Sequence, residues 1–195
     1  MSKGEDTKQA ILKHAASLAS RVGLEALTIG RLAGDLDMSK SGLFAHFGSK
    51  EALQLAVLEH AAEEFRNLVV RPAFTAPAGE PRLRGLFEHW LKWVEATQYE
   101  GGCLFMQASA EYDDQPGVIR DSLVAIQKTW VDGIAEAARR AVAVGHFRKD
   151  LDPDQFAFEF YSILVGYHNV RRLLRDPRAE AHLGETIDKL LARSR

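Results

Sequence analysis

The sequence predicts an all-α protein of about nine helices, in which a small three-helix unit at the N-terminus precedes a larger helical part. Three observations carry this. Apolar residues recur at spacings of three and four, as in Ile11, Ala15, Leu18 and Val22, or in Leu53, Val57, Ala61, Phe65 and Leu68. Residues that cap or stop helices stand between such stripes, among them Thr28, Ser39, Gly23 and Gly145. Prolines cluster at Pro72, Pro77 and Pro81, where a helix cannot continue. With 195 residues, 46% hydrophobic and 27% charged, the chain can bury a sizeable core.

Other classes are disfavoured. The longest apolar runs are a few residues, against the roughly 20 needed to span a bilayer. Charges scattered through MSKGEDTKQAILKHAA leave no apolar core for a secretory signal, so a cytoplasmic site and no membrane partner are expected. The single cysteine, Cys103, can form neither an intramolecular disulfide nor a zinc cluster, which suits a reducing compartment. Net charge is −2, but residues 1–50 carry seven Lys/Arg against five Asp/Glu, whereas 51–195 carry eighteen against twenty-two. The sign of this mild asymmetry favours a polyanion at the N-terminal end.

The first helix spans residues 7–22, with Thr7 as N-cap and Gly23 as its stop. Thr28 caps a second helix, about 29–36, with Ile29, Leu32, Ala33 and Leu36 inward; the small Ala33 lets another helix approach closely. The pattern breaks at Asp37-Met38-Ser39. Ser39 caps a third helix from Lys40 to about His46 that buries Leu43 and Phe47 and leaves Lys40, Ser41, Gly42, Ala45 and His46 outward. Two short helices joined by a three- or four-residue turn, the second presenting small polar and basic side chains, form the helix-turn-helix that enters the DNA major groove. There Lys40 can reach a guanine O6/N7 or a phosphate, Ser41 can bond either kind of acceptor, and Gly42 brings backbone near DNA.

The segment SKSGLFAHFGSKEAL, preceded by LTIGRLAGDLDM, resembles the DNA-binding domain of the tetracycline-repressor (TetR) family over roughly the first 55 residues. The resemblance implies that Thr28, His46 and Lys50 hold phosphates, while Lys40, Ser41, Gly42 and Ala45 face the groove. Two positions depart from the family pattern. Phe44 stands where Tyr is usual, removing a phenol that would bond a phosphate, and Asp37 stands where the turn commonly has Gly, though Asp tolerates a left-handed backbone better than most residues. The expected DNA-binding set is Thr28, Ser39, Lys40, Ser41, Gly42, Phe44, Ala45, His46 and Lys50. Residues 1–50 are read as the DNA-binding domain and 51–195 as a helical ligand-binding and dimerisation domain.

From Ser49 a long helix runs to about residue 70, the element that in the family links the two domains. After the proline-rich linker, helix five (about 81–98) carries Leu83, Leu86, Phe87, Trp90, Leu91 and Val94 on a broad face. Gly101-Gly102 breaks it, CLFMQASAEY opens helix six, and helix seven keeps a seven-residue rhythm from about 117 to 145. Asp152 or Asp154, around Pro153, starts helix eight. Helix eight has two apolar faces: Phe156, Phe160, Ile163, Tyr167, Val170 and Leu174 on one, and Phe158, Tyr161, Val165 and His168 on the other. One face meets the core of its own chain and the other a partner. Helix nine, about 178–193, turns Leu183, Ile187 and Leu190 inward. The family resemblance implies a homodimer through these last two helices, with Phe156, Phe160, Ile163, Tyr167, Val170, Leu174, Leu183, Ile187 and Leu190 as the candidate contact set; a monomer with a central helix eight is the alternative. A two-fold dimer spaces two recognition helices for a palindromic operator in double-stranded DNA.

GGCLF, EYDDQPG and VIRDSL resemble one C-terminal subgroup of the family, which names no ligand. Trp90, Trp93, Phe105, Met106, Glu111, Tyr112, Trp130, Tyr161 and His168 are candidates to line a pocket for a small hydrophobic effector, with Gln107 and Asn169 as further polar groups. No H-E-x-x-H, G-x-S-x-G, phosphate-loop or Cys/His metal spacing appears, so no catalytic residue, metal or cofactor is expected. The expected function is a dimeric transcriptional regulator, a repressor released by the effector. The alternatives are a ligand-free regulator, a regulator sensing oxidants through Cys103 at a helix start, and a helical enzyme or binding module without DNA recognition.

Overall fold

The structure, a computed structural model, describes residues 3–95 and 99–195. Among them the chain is all helical: α1 (Lys3–Val22), α2 (Ile29–Asp35), α3 (Lys40–Phe47), α4 (Lys50–Phe65), α5 (Glu80–Glu95), α6 (Leu104–Tyr112), α7 (Val118–Ala143), α8 (Pro153–Arg172) and α9 (Ala179–Ser194). A π-helical stretch (Arg66–Val70) and a short helical turn (Arg71–Ala73) follow α4 directly. No helix among the described residues is long and apolar enough to cross a membrane.

The chain forms two compact units, Met1–Phe65 with Val94–Ile126, and Arg66–Trp93 with Gln127–Arg195. In the first, α1 packs on α4 and on α6, α2 on α3, and α3 on α4. Its core holds Ile11, Leu12, Ala15 and Leu18 of α1, Leu32 and Ala33 of α2, Leu43 and Phe47 of α3, and Leu53, Val57, Leu58 and Ala61 of α4. Most of the residues expected inward from spacing are here, joined by Leu12 and Leu58, while Val22, Ile29, Leu36 and Phe65 are only half-buried. Each fully buried Leu is worth roughly 1.5–3 kcal/mol. One helix start and one inward position differ. Thr7 lies inside α1, which is already helical at Lys3, and is not its cap. Leu68, expected inward, is exposed, and Val69 is buried instead. The wider π turn inserts a residue into the helical repeat and so rotates the face that points inward.

In the second unit α8 packs along α9. Trp90 on α5 meets Tyr167 on α8 edge-on, with centroids 5.9 Å apart, and Phe147 lies 5.5 Å from Phe156. The start of α8 is settled in favour of Asp152, whose side chain accepts from the N–H groups of Asp154 and Gln155, with Pro153 in the first turn. Of the candidate dimer residues, Phe156, Phe160, Tyr167, Leu183, Ile187 and Leu190 are buried within the chain, Ile163 and Val170 are half-buried, and Leu174 is exposed. The second face of α8 keeps Phe158 63% exposed and Val165 40% exposed.

Candidate nucleic-acid interface

The α2–α3 segment is built from local bonds that its residue types supply. Thr28 Oγ1 accepts from Arg31 N–H at 3.1 Å, closing the first turn of α2. Ser39 Oγ does the same for Gly42 N–H at 3.0 Å and lies 3.3 Å from Ser41 Oγ. Between the helices Met38 N–H donates to Ala33 O, and Asp37 takes φ +50. Asp accommodates that left-handed position better than most residues. Gly48, at φ +74, ends α3, and Ser49 Oγ accepts from Ala52 N–H to start α4.

These caps fix which face α3 shows. Lys40, Ser41, Phe44 and Ala45 form one exposed face, with Phe44 54% exposed near its centre. Gly42 and His46, expected fully outward, are half-buried on its flank. A side chain at 42 would begin 3.0 Å from Ser39 Oγ, so glycine there leaves room for the cap, and the His46 ring tilts against Phe47 at 6.2 Å. Thr28 is exposed, and Lys50, in the first turn of α4, is half-buried.

Lys50 is not idle. Its ammonium is 2.5 Å from Glu25 Oε1. Glu25 Oε2 accepts from the Tyr112 hydroxyl at 2.7 Å, and that hydroxyl accepts from Gln54 Nε2, which also donates to Leu24 O. The hydrogen bond from Lys50, then that from Tyr112, holds the Glu25 carboxyl below the ordinary carboxylate range. Burial first, and Glu25 second, push the Tyr112 hydroxyl well above its ordinary value. Glu111 Oε2 accepts from Glu25 N–H at 2.9 Å. Gly23, at φ +92, makes way for that carboxylate, since a Cβ would lie 2.1 Å from it. Sequence reading missed Glu25 and Gln54, because nothing local marks residues 25, 54 and 112 as neighbours.

The candidate effector residues divide between the units. Phe105, Met106, Glu111 and Tyr112 stand on α6 in the first, where the last two point to the α1–α2 connection. Trp90 and Trp93 on α5, Trp130 on α7, and Tyr161 and His168 on α8 belong to the second. Tyr161 bonds the Gln127 side chain, and burial, then Arg172, lowers the His168 pKa. Cys103 stands at the start of α6 but is buried, and burial pushes its thiol up to about 11 against the pull of the nearby backbone N–H groups. The expected lowering at a helix start is thus outweighed, and the sulfur is held as a thiol.

Comparison with known proteins decides the family. The description "Bacterial regulatory proteins, tetR family" matches residues 11–57, and "Tetracyclin repressor-like, C-terminal domain" matches residues 79–187. The chain belongs to the TetR family of transcriptional regulators. It is a helix-turn-helix DNA-binding regulator, and α2–α3 is its helix-turn-helix. Solved TetR-family structures share the fold. A regulator from Cytophaga hutchinsonii is 17% identical with a TM-score of 0.83, over 98% of this chain and 96% of that one. Another, from Chloroflexus aurantiacus, is 24% identical with a TM-score of 0.82 over the same shares. AibR, solved in complex with isovaleryl coenzyme A and operator DNA, is 24% identical with a TM-score of 0.71, over 91% of this chain and 96% of that one. No curated protein sequence gives a significant match.

Proposed function

We propose that the protein is a homodimeric repressor that binds a palindromic operator and leaves it when a small hydrophobic effector binds. The observation that carries the DNA part is the exposed face of α3, Lys40, Ser41, Phe44 and Ala45, with the Ser39 side chain capping α3 and the Thr28 side chain capping α2 before it. Lys40 and Ser41 read base edges or phosphates, Phe44 and Ala45 offer apolar contact to thymine methyls, Gly42 lets the helix approach closely, and Ser39 sets its start. Thr28, His46 and Lys50 hold phosphates.

Residues 1–50 act as the DNA-binding domain and 51–195 as the ligand-binding and dimerisation domain. Dimerisation uses α8 and α9. Phe158, Val165 and Leu174 make the contact, Ile163 and Val170 border it, and Phe156, Phe160, Tyr167, Leu183, Ile187 and Leu190, buried within the chain, support it from beneath. The effector contacts a subset of Trp90, Trp93, Phe105, Met106, Glu111, Tyr112, Trp130, Tyr161 and His168. It favours a state with wrongly spaced recognition helices and so shifts the population off DNA. The likeness to AibR, which was solved with both an acyl coenzyme A and operator DNA, supports a regulator of this kind.

A mobility shift on the DNA upstream of its own gene tests the reading. Salt-sensitive, sequence-selective retardation is expected, and no binding to any fragment there refutes it. A thermal-shift screen with hydrophobic metabolites should find a stabilising ligand, and a flat response across a broad panel removes effector release.

A further inference from the structure

We propose that Glu25 competes with DNA phosphate for Lys50: its carboxylate holds the Lys50 ammonium in the free protein and yields it on the operator, while the last turn of α6 fixes where that carboxylate stands. The inference rests on the reading of Lys50 as a phosphate ligand.

The geometry gives Glu25 two donors, one on each oxygen, Lys50 from α4 and Tyr112 from α6. The Tyr112 hydroxyl has one proton to give. Because it accepts from Gln54 Nε2 at 3.2 Å, that proton goes to Glu25, and the orientation is set by a buried amide. The backbone is tied as well, since the Glu25 N–H is held by Glu111 of the same α6 turn, against a glycine that no other residue can replace without displacing the carboxylate. So α6 grips Glu25 by main chain and side chain together.

Lys50 has three donors, but one compact charge. A phosphate that captures it must draw it from a carboxylate already held ionised by that contact. Any displacement of the last turn of α6 moves both anchors of Glu25, and with them the strength of the competitor. None of these contacts lies on α3, so the competition changes affinity on every sequence alike and leaves base preference untouched.

Fluorescence anisotropy with a labelled duplex from the DNA upstream of its own gene, and a scrambled duplex of the same length, tests this in four proteins: wild type, Glu25→Gln, Lys50→Ala and the double variant. Thermal melting checks that each is folded. Glu25→Gln should tighten binding to both duplexes by about two- to fivefold per DNA-binding unit, the range of a partly exposed ion pair. Lys50→Ala should weaken both, and in that background Glu25→Gln should gain nothing. A gain of equal size without Lys50 reduces Glu25 to a general surface charge and overturns the proposal, as does no gain with Lys50 present. Tyr112→Phe should alter affinity only where Lys50 is present; an equal change in both backgrounds, or none in either, removes α6 from the proposal. Absence of salt-sensitive binding by the wild type instead overturns the DNA-contact reading, and is distinguishable from these results.

Discussion

Gly101→Ala should be the most damaging small substitution in the first unit. A methyl group there would sit 1.6 Å from the Ser20 carbonyl oxygen and 2.5 Å from Arg21 N. Both are main-chain atoms at the end of α1, and no rotamer change relieves the clash, so residues 99–103 must lift off the helix. Lifting breaks the bond from Gly101 N–H to Ser20 Oγ, 3.0 Å long and buried, worth about 1 kcal/mol. It also loosens a loop whose residues Tyr99, Gly101, Gly102 and Cys103 are buried, an overpacking penalty of about 1–3 kcal/mol. The exposed Arg21–Glu100 pair adds little. The total is about 2–4 kcal/mol, or a fall in Tm of roughly 4–16 °C for a chain of this size. Gly34→Ala is the control. It lies in exposed α2 with nothing within 4 Å of the added carbon, and should gain about 0.5–1 kcal/mol. Urea unfolding of both variants measures the difference. If Gly101→Ala unfolds at the wild-type midpoint, the contact between this loop and α1 is not what holds α6 in place.

Other outcomes can be measured on the same preparations. Lys50→Ala should weaken binding to all DNA sequences similarly and reduce the salt slope by about one per protomer, whereas Lys40→Ala should also relax preference at one base pair by about 1–3 kcal/mol, read by competition with single-base operator variants. Phe158→Glu should leave the fold intact, because the ring is exposed within the chain, yet cost about 2 kcal/mol or more of dimer association; an unchanged sedimenting mass would exclude this face of α8. Glu80 is held down to about 2 from an ordinary 4.5, first by hydrogen bonds from Arg195 and then by Arg84, with burial opposing. A depressed carboxyl stabilises the fold above its unfolded pKa. The Tm advantage of wild type over Glu80→Gln should therefore be complete above pH 4.5, shrink as pH falls, and vanish near pH 2.

What the sequence made legible is what short-range bonds decide. Thr28, Ser39 and Ser49 each spend a side chain on a donor three residues on, so their residue type announces the helix start. Asp37 marks its turn differently, by a left-handed backbone that Asp tolerates better than most residues. The choice between Asp152 and Asp154 is open in the sequence because either side chain can cap, and only the structure shows that it is the Asp152 carboxylate that accepts from the N–H groups of Asp154 and Gln155. The π stretch after Phe65 escaped notice, since nothing in RNLVV distinguishes a five-residue turn from an ordinary one, and with it the burial of Val69 in place of Leu68. Partners far apart in sequence were illegible for a different reason. Gly101 on Ser20 and Tyr112 on Glu25 join positions more than eighty residues apart, and no periodicity records such a pairing. At the candidate DNA interface, the sequence pattern puts Lys40, Ser41 and Ala45 outward, where they are exposed, but it also puts Gly42 and His46 there, which are half-buried, and leaves out the exposed Phe44. The engagement of Lys50 is illegible because its partner sits in the α1–α2 connection.

The discontinuous make-up of the first unit bears on how such a regulator can be recombined. Residues 94–126 belong with 1–65, although α5 and the whole proline-rich segment intervene along the chain. A chimera that exchanged only residues 1–65 would set a foreign α1 under Gly101 and a foreign connection beside Tyr112 and Glu111. The heritable part here is a matched pair of segments, and a graft that is to keep both its fold and its grip on Lys50 must carry the second with the first.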